Sequence, residues 1–230
     1  MTHLSIGDVT TYLDNTYQDY LANPKQITDI IKNHIQALKD HQQMEAPSTE
    51  LFFPLLVTED WLSQAQAQLT EIPEYQANQA LIELPLVAPN GLKTVGIFDY
   101  PSSIAYATEK LTEQFKTIDE AIDAGINNLY DYINQNGINT AQIENYPIYQ
   151  LQLNGIFDSA LWFIIDQLIP VISTELTLEN TLIAIPARDT FLIAQKEDAE
   201  AMAFLQTYVQ NIFENATHPI SPTLYKAPSI

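Results

Sequence analysis

The chain contains a single arginine, Arg188, followed directly by Asp189 within Pro186-Ala187-Arg188-Asp189. A guanidinium presents a rigid fork of N–H donors that matches a carboxylate or a phosphate two bonds at a time. Two more carboxylates stand where apolar runs begin or end. Asp99 follows Leu92 to Phe98, and Asp158 opens Asp158-Ser159-Ala160-Leu161-Trp162. Were these groups to converge, Arg188 would clamp an anion, an aspartate would serve as base, and Trp162 would supply an apolar wall. Asp99, Asp158, Trp162, Arg188 and Asp189 are therefore the candidate ligand-binding set. The residue types favour a plainer arrangement. In it Asp158 caps a helix, Asp189 bonds turn amides, and Arg188 pairs with Asp189 or Asp158. No residue is assigned a catalytic role.

Other chemistry finds little support. The six glycines form neither G-x-G-x-x-G nor a Walker-type loop, and no Gly-x-Ser-x-Gly elbow occurs. No cofactor is implied. The four histidines, His3, His34, His41 and His218, include no His-Glu-x-x-His, so no metal set is assigned. His34 lies on an apolar helical stripe, where a partly buried, hydrogen-bonded side chain is the ordinary outcome. Without cysteine there is no disulfide or thiolate chemistry.

The net charge is −20, and it arises from scarce bases: 29 acidic residues face only 9 Lys and Arg. Such a field repels nucleic acid and anionic lipid and steers a basic protein partner inward. No apolar run approaches the roughly 18 to 20 residues of a membrane span. The N-terminus lacks a basic segment followed by an apolar one, so a cytoplasmic protein is expected.

The elements that must position the candidate residues follow from spacing. Leu182 to Ile185 and Phe191 to Ala194 are short, Ile- and Leu-rich runs flanking the Arg188 break, which predicts two adjacent buried strands. Leu51 to Val57, Ala80 to Val87, Leu92 to Tyr100 and Ile148 to Leu153 also read as strands. The second and third form a hairpin through Ala88-Pro89-Asn90-Gly91. Pro54 suits its strand to an edge or a bulge. Ile104 to Ala107 and Thr223 to Tyr225 are shorter strand candidates.

Helices are predicted over residues 1 to 24, opened by Asp8, and from Ile27 through Leu38 along one apolar stripe. A loop covers 41 to 49. Glu59 and Asp60 suit a helix first turn. Thr117-Ile118-Asp119-Glu120 is a capping box whose helix ends at Asn136-Gly137. Phe157 to Ile169 reads as a buried helix stopped by Pro170, and Glu197-Asp198 opens a long helix reaching Phe213.

Three stretches together resemble the YtpQ-like bacterial family of unknown function. They are Leu92 to Tyr106, Leu151 to Trp162 and Ala184 to Ile193, the last with its Pro-x-x-Asp turn. The resemblance covers about residues 50 to 215. It implies an α+β fold and a cytoplasmic bacterial protein, and it implies no reaction. The expected architecture is thus α+β, a mainly antiparallel sheet packed by helices on one face, with N-terminal helices. Residues 1–45 form a helical segment packed on a single α+β domain of residues 46–230. The function favoured by these features is a non-enzymatic binding or accessory protein of immunity type with a basic protein partner. The alternative is a small-ligand binder or enzyme built around Arg188.

Overall fold

The computed structural model describes residues 3–6, 9–12, 16–17, 20–21, 23–42, 48–70, 80–101, 103–109 and 112–228. In chain order the strands are β1 His3–Ile6, β2 Val9–Tyr12, β3 Phe52–Thr58, β4 Leu92–Tyr100, β5 Ser103–Tyr106, β6 Asn139–Gln142, β7 Ile148–Gln152, β8 Thr181–Ala187, β9 Thr190–Gln195 and β10 Leu224–Lys226. The α-helices are α1 Ile27–Gln42, α2 Glu59–Thr70, α3 Ile118–Asn136, α4 Ile165–Ile172 and α5 Ala199–Asn215. The fold is α+β. The strands form a β1-β2 pair, a three-stranded sheet ordered β3-β4-β5 and a five-stranded sheet ordered β10-β8-β9-β7-β6. Among the described residues, no helix is long and apolar enough to cross a membrane.

The chain divides into two compact units. One is Met1–Ser48 with Asp99–Ala105; the other is Thr49–Phe98 with Tyr106–Ile230. In the first, β1 and β2 pair antiparallel from His3↔Tyr12 to Ile6↔Val9, which corrects the first half of the helix expected over residues 1 to 24, while Thr16, Tyr17, Tyr20 and Leu21 are helical as expected. Val9, Thr10, Thr11 and Tyr12 are β-branched or aromatic, and their strand preference outweighs a poorly formed helical face. Asp8 and residues 43–47 of the expected loop lie outside the described residues. Helix α1 forms as its spacing predicts. Its His34 is partly buried, with Nδ1 2.9 Å from Thr16 Oγ1.

The second unit is built on the β8-β9 hairpin. Ile183 pairs with Ile193 and Ala184 with Leu192, and Ala187 faces Thr190 across the two-residue bend at Arg188 and Asp189. Both faces of this pair are buried. Helix α5 lays Ala201, Leu205 and Val209 over Ala184, Leu192, Ala194 and Ile148. Ile183, Ile185, Phe191 and Ile193, on the opposite face, are equally inaccessible. A 3-10 segment, Asp158–Ile164, packs on β9 and on β3. Continuous apolar runs are what strands covered on two sides require. Asp198 caps α5 by accepting from Ala201 N–H at 2.8 Å.

Two expected elements take other forms. Ala80 to Val87 is not a continuous strand. It meets its neighbours through isolated bridges, Glu83↔Val95 and Leu81↔Thr108, although Leu84 N–H does donate to the Thr94 carbonyl at 2.8 Å. Pro85 has no N–H to give and interrupts the ladder. Strand β4 instead lies between β3 and β5 and pairs with β3 in register from Phe52↔Phe98 to Thr58↔Leu92. Phe157 to Ile169 is the 3-10 segment followed by α4, not one helix. Helix α4 continues to Ile172 with Pro170 inside it, lacking the one hydrogen bond that residue cannot donate.

Close packing explains two glycines. A Cβ on Gly96 of β4 would stand 2.5 Å from Cε2 and Cζ of Phe52, and one on Gly125 of α3 would stand 3.2 Å from Phe52 Cδ1 and Pro54 Cδ. Phe52 is fully buried between them, with Phe98 and Phe115 rings each at 5.1 Å. The buried stripe of α3 is consequently Ala121, Gly125 and Leu129, while Ile118 is exposed. The Thr117 cap forms as expected, its Oγ1 accepting from Glu120 N–H at 3.1 Å, while the Glu120 carboxylate reaches back one residue further, accepting from Lys116 N–H at 2.9 Å. Gly137 closes the helix at φ 77°. Asn128 Nδ2 ties α3 to the carbonyls of Thr49 and Phe52 at 2.7 and 2.9 Å.

Gly96→Ala should lower folding stability by about 1–3 kcal/mol, because the added methyl overpacks a ring that has no free space to enter. The urea midpoint reads this, with the slope unchanged. A midpoint equal to that of the parent would show that Phe52 is loosely held.

Candidate functional site

Strand β3 ends at Thr58, whose Oγ1 accepts from Trp61 N–H at 3.0 Å and so caps α2. That cap aims the first turns of α2, with Asp60, Trp61 and Gln64, along one wall of a cavity of about 270 Å³. Tyr106, at the end of β5, continues the wall. Its ring centroid lies 4.8 Å from that of Trp61 at 40°. Buried residues of β3, Leu55 and Leu56, contribute apolar floor. The opposite side is Arg188 and the stretch Thr217 to Ile220.

Backbone pairing holds that opposite side in place. Arg188 N–H donates to the His218 carbonyl at 3.0 Å, and Ile220 N–H to the Pro186 carbonyl at 2.9 Å. Ser221 N–H reaches the Ile185 carbonyl at 3.1 Å, and Tyr225 Oη donates to Ser221 Oγ at 2.7 Å. Residues 218–221 therefore extend the sheet past the end of β10 and carry the wall up to the hairpin bend.

Arg188 also lines a second cleft of about 310 Å³, shared with Asp189, Thr190, Asn211 and Asn215. Thr217 and His218 border both clefts, so the guanidinium stands at the partition between them. The ion pair with Asp189 or Asp158 is not formed. The ion pairs among the described residues are Lys93–Glu83, Lys116–Glu120 and Lys196–Glu197. Arg188 is half-buried, and its Nε is fully enclosed without a hydrogen-bond partner. Burial raises the Tyr106 hydroxyl above the usual phenol range, while the Arg188 charge and its hydrogen bond to the phenolic oxygen pull the other way. Tyr106 is thus a neutral, polar tip beside the cation.

The other sequence candidates lie elsewhere. Trp162 is buried. Its Nε1 donates to the Val87 carbonyl at 2.8 Å and its ring meets Tyr225 edge-on at 6.2 Å. Asp99 is half-buried in the unit that holds residues 99–105, and burial raises its carboxyl. Asp158 does not cap the segment it opens. Its Oδ1 turns back to accept from the N–H groups of Leu153, Asn154 and Gly155, at 3.1, 3.1 and 3.0 Å. Of the five candidates, Arg188 and Asp189 are the ones that border these two clefts. Trp61, Tyr106, Thr217 and His218 share a cleft with Arg188 only through tertiary pairing, which local spacing does not carry. The one local signal was Thr58 ahead of Trp61, a cap without its box.

No family model matches the chain, and no curated protein or solved structure matches it at a significant level.

Burial raises the Asp158 carboxyl, the three amide bonds oppose the rise, and the charge of Asp189 adds to it. Its Oδ2 is enclosed without a partner. A raised folded value favours the protonated carboxyl in the native state. That contribution to stability is complete below the unfolded value, about 4, and fades as pH rises through the folded one. Asp158→Asn removes it. The stability of wild type relative to this variant should therefore fall as pH climbs from about 4. Chemical denaturation of both proteins across that range measures it, and a level or rising difference would contradict the assignment.

Proposed function

We propose that the protein binds a small anionic ligand at Arg188 and performs no chemistry on it. One observation carries this reading. The single arginine of a chain with net charge −20 borders two clefts, and among the described residues no carboxylate pairs with it. Half-buried cations are normally matched, since desolvating a charge without compensation is costly. A concave wall with an apolar floor and a few convergent polar groups is also the ordinary form of a small-molecule site.

The test pairs binding with stability. Calorimetric titration of sodium benzoate should detect binding to the parent protein and at least a tenfold loss in Arg188→Gln, about 1.4 kcal/mol. Folding stability of the variant should change by no more than about 1 kcal/mol, because no ion pair is lost. Equal affinity in the two proteins, or a stability loss of several kcal/mol, would return Arg188 to a structural role.

A second reading draws on the charge alone. An excess of 20 negative charges favours association with a basic protein, as an immunity or accessory protein would show. It requires a basic partner held at low salt and released as ionic strength rises toward about 1 M. Retention that ignores salt would count against it. Likeness to the YtpQ-like family supplies no reaction and does not choose between the two.

A further inference from the structure

The cleft on the Trp61 side has features that narrow the ligand class, and this step rests on the anion reading of Arg188. Arg188 is the cation that lines it; among the described residues no lysine does. A phosphate with close to two charges would meet one guanidinium in a strongly negative field, with Asp60 on the same wall. A carboxylate carries one charge, and its two oxygens match the two-donor edge of a guanidinium. Beside that edge the wall is aromatic: Trp61 and Tyr106 stand 4.8 Å apart and tilted, both only partly covered. Leu55, Leu56 and Ile220 give an apolar floor. A volume of about 270 Å³ lies at the small end of ligand sites and suits a single ring.

We infer that the ligand is a single-ring aromatic carboxylate, its carboxylate on Arg188 and its ring against Trp61 and Tyr106. Ring contact adds affinity beyond area alone, because stacked and edge-on aromatic pairs attract through their quadrupoles.

Benzoate, cyclohexanecarboxylate, acetate and inorganic phosphate titrated into the intact chain separate the possibilities. Benzoate should bind at least about tenfold more tightly than acetate, and more tightly than the cyclohexane acid of similar size. That preference should collapse in Trp61→Ala and persist in Trp61→Phe. Benzoate should also quench indole emission in the parent but not in Trp61→Phe, where Trp162, buried against Val87, is the remaining indole. Should Trp61→Ala fail to fold, the quenching and the Trp61→Phe comparison still decide. Equal binding of benzoate and acetate, both lost in Arg188→Gln, would overturn the aromatic assignment and leave the anion site standing. Stronger binding of phosphate would do the same. Failure of all four anions to bind would remove the anion site, and the aromatic assignment with it.

Discussion

A guanidinium cannot sit inside a doubly covered sheet, and that constraint organises the second unit. Strands β8 and β9 are buried on both faces from Ile183 to Ala187 and from Thr190 to Ala194. Along this hairpin the bend at Arg188 and Asp189 is the point where a charge reaches water without breaking a buried ladder. The bend also stands at the open end of the sheet. There the chain after α5 must return along β8, and it does so as residues 218–221, bonded to Pro186 and Ile185. The same pairing that completes the sheet therefore builds the wall beside the arginine. Position and surroundings of the charge are both consequences of burying the two strands.

Much of the fold is legible where local chemistry and tertiary burial agree. The Thr117 cap, the Gly137 stop, the Asp198 cap and the β8-β9 pair each satisfy a local rule and a packing need together. Legibility fails where the two disagree. Val9 to Tyr12 fall within some helical spacing, but their β-branched and aromatic content pairs them as a strand with His3–Ile6. Ala80 to Val87 has the composition of a strand, but Pro85 denies it a continuous ladder. Gly96 and Gly125 look like weak points in a strand and a helix. Their role is visible only once Phe52 is placed between them, from a third element.

The site divides along the same line. Arg188 and Asp189 were readable because a lone polar break between apolar runs is a local signal. Asp158 was readable as a constrained carboxylate but not for its direction. It binds the turn before it, and Asn154 Oδ1 completes that turn by accepting from the N–H groups of Ile156 and Phe157. Trp162 had the composition of a pocket wall and became core, while Trp61 had no such signal and became the wall. A tryptophan needs one partner for its N–H and burial for its ring. Nothing in a single sequence says whether a chain or a ligand will provide them.

Scarcity of bases sharpens the argument about Arg188. In a chain with many cations, an arginine without a carboxylate beside it is unremarkable surface. Here 29 acids stand against 9 bases, so carboxylates to pair with are abundant. Asp189 is adjacent in sequence and Asp60 lines the same cleft, yet neither closes on the guanidinium. A purely solvated turn residue would also leave its Nε in water, whereas this one is enclosed and unbonded. An enclosed donor without an acceptor is a standing free-energy cost of order 1–3 kcal/mol. An anion entering either cleft would meet the half-buried guanidinium, which lines both, and add an acceptor there.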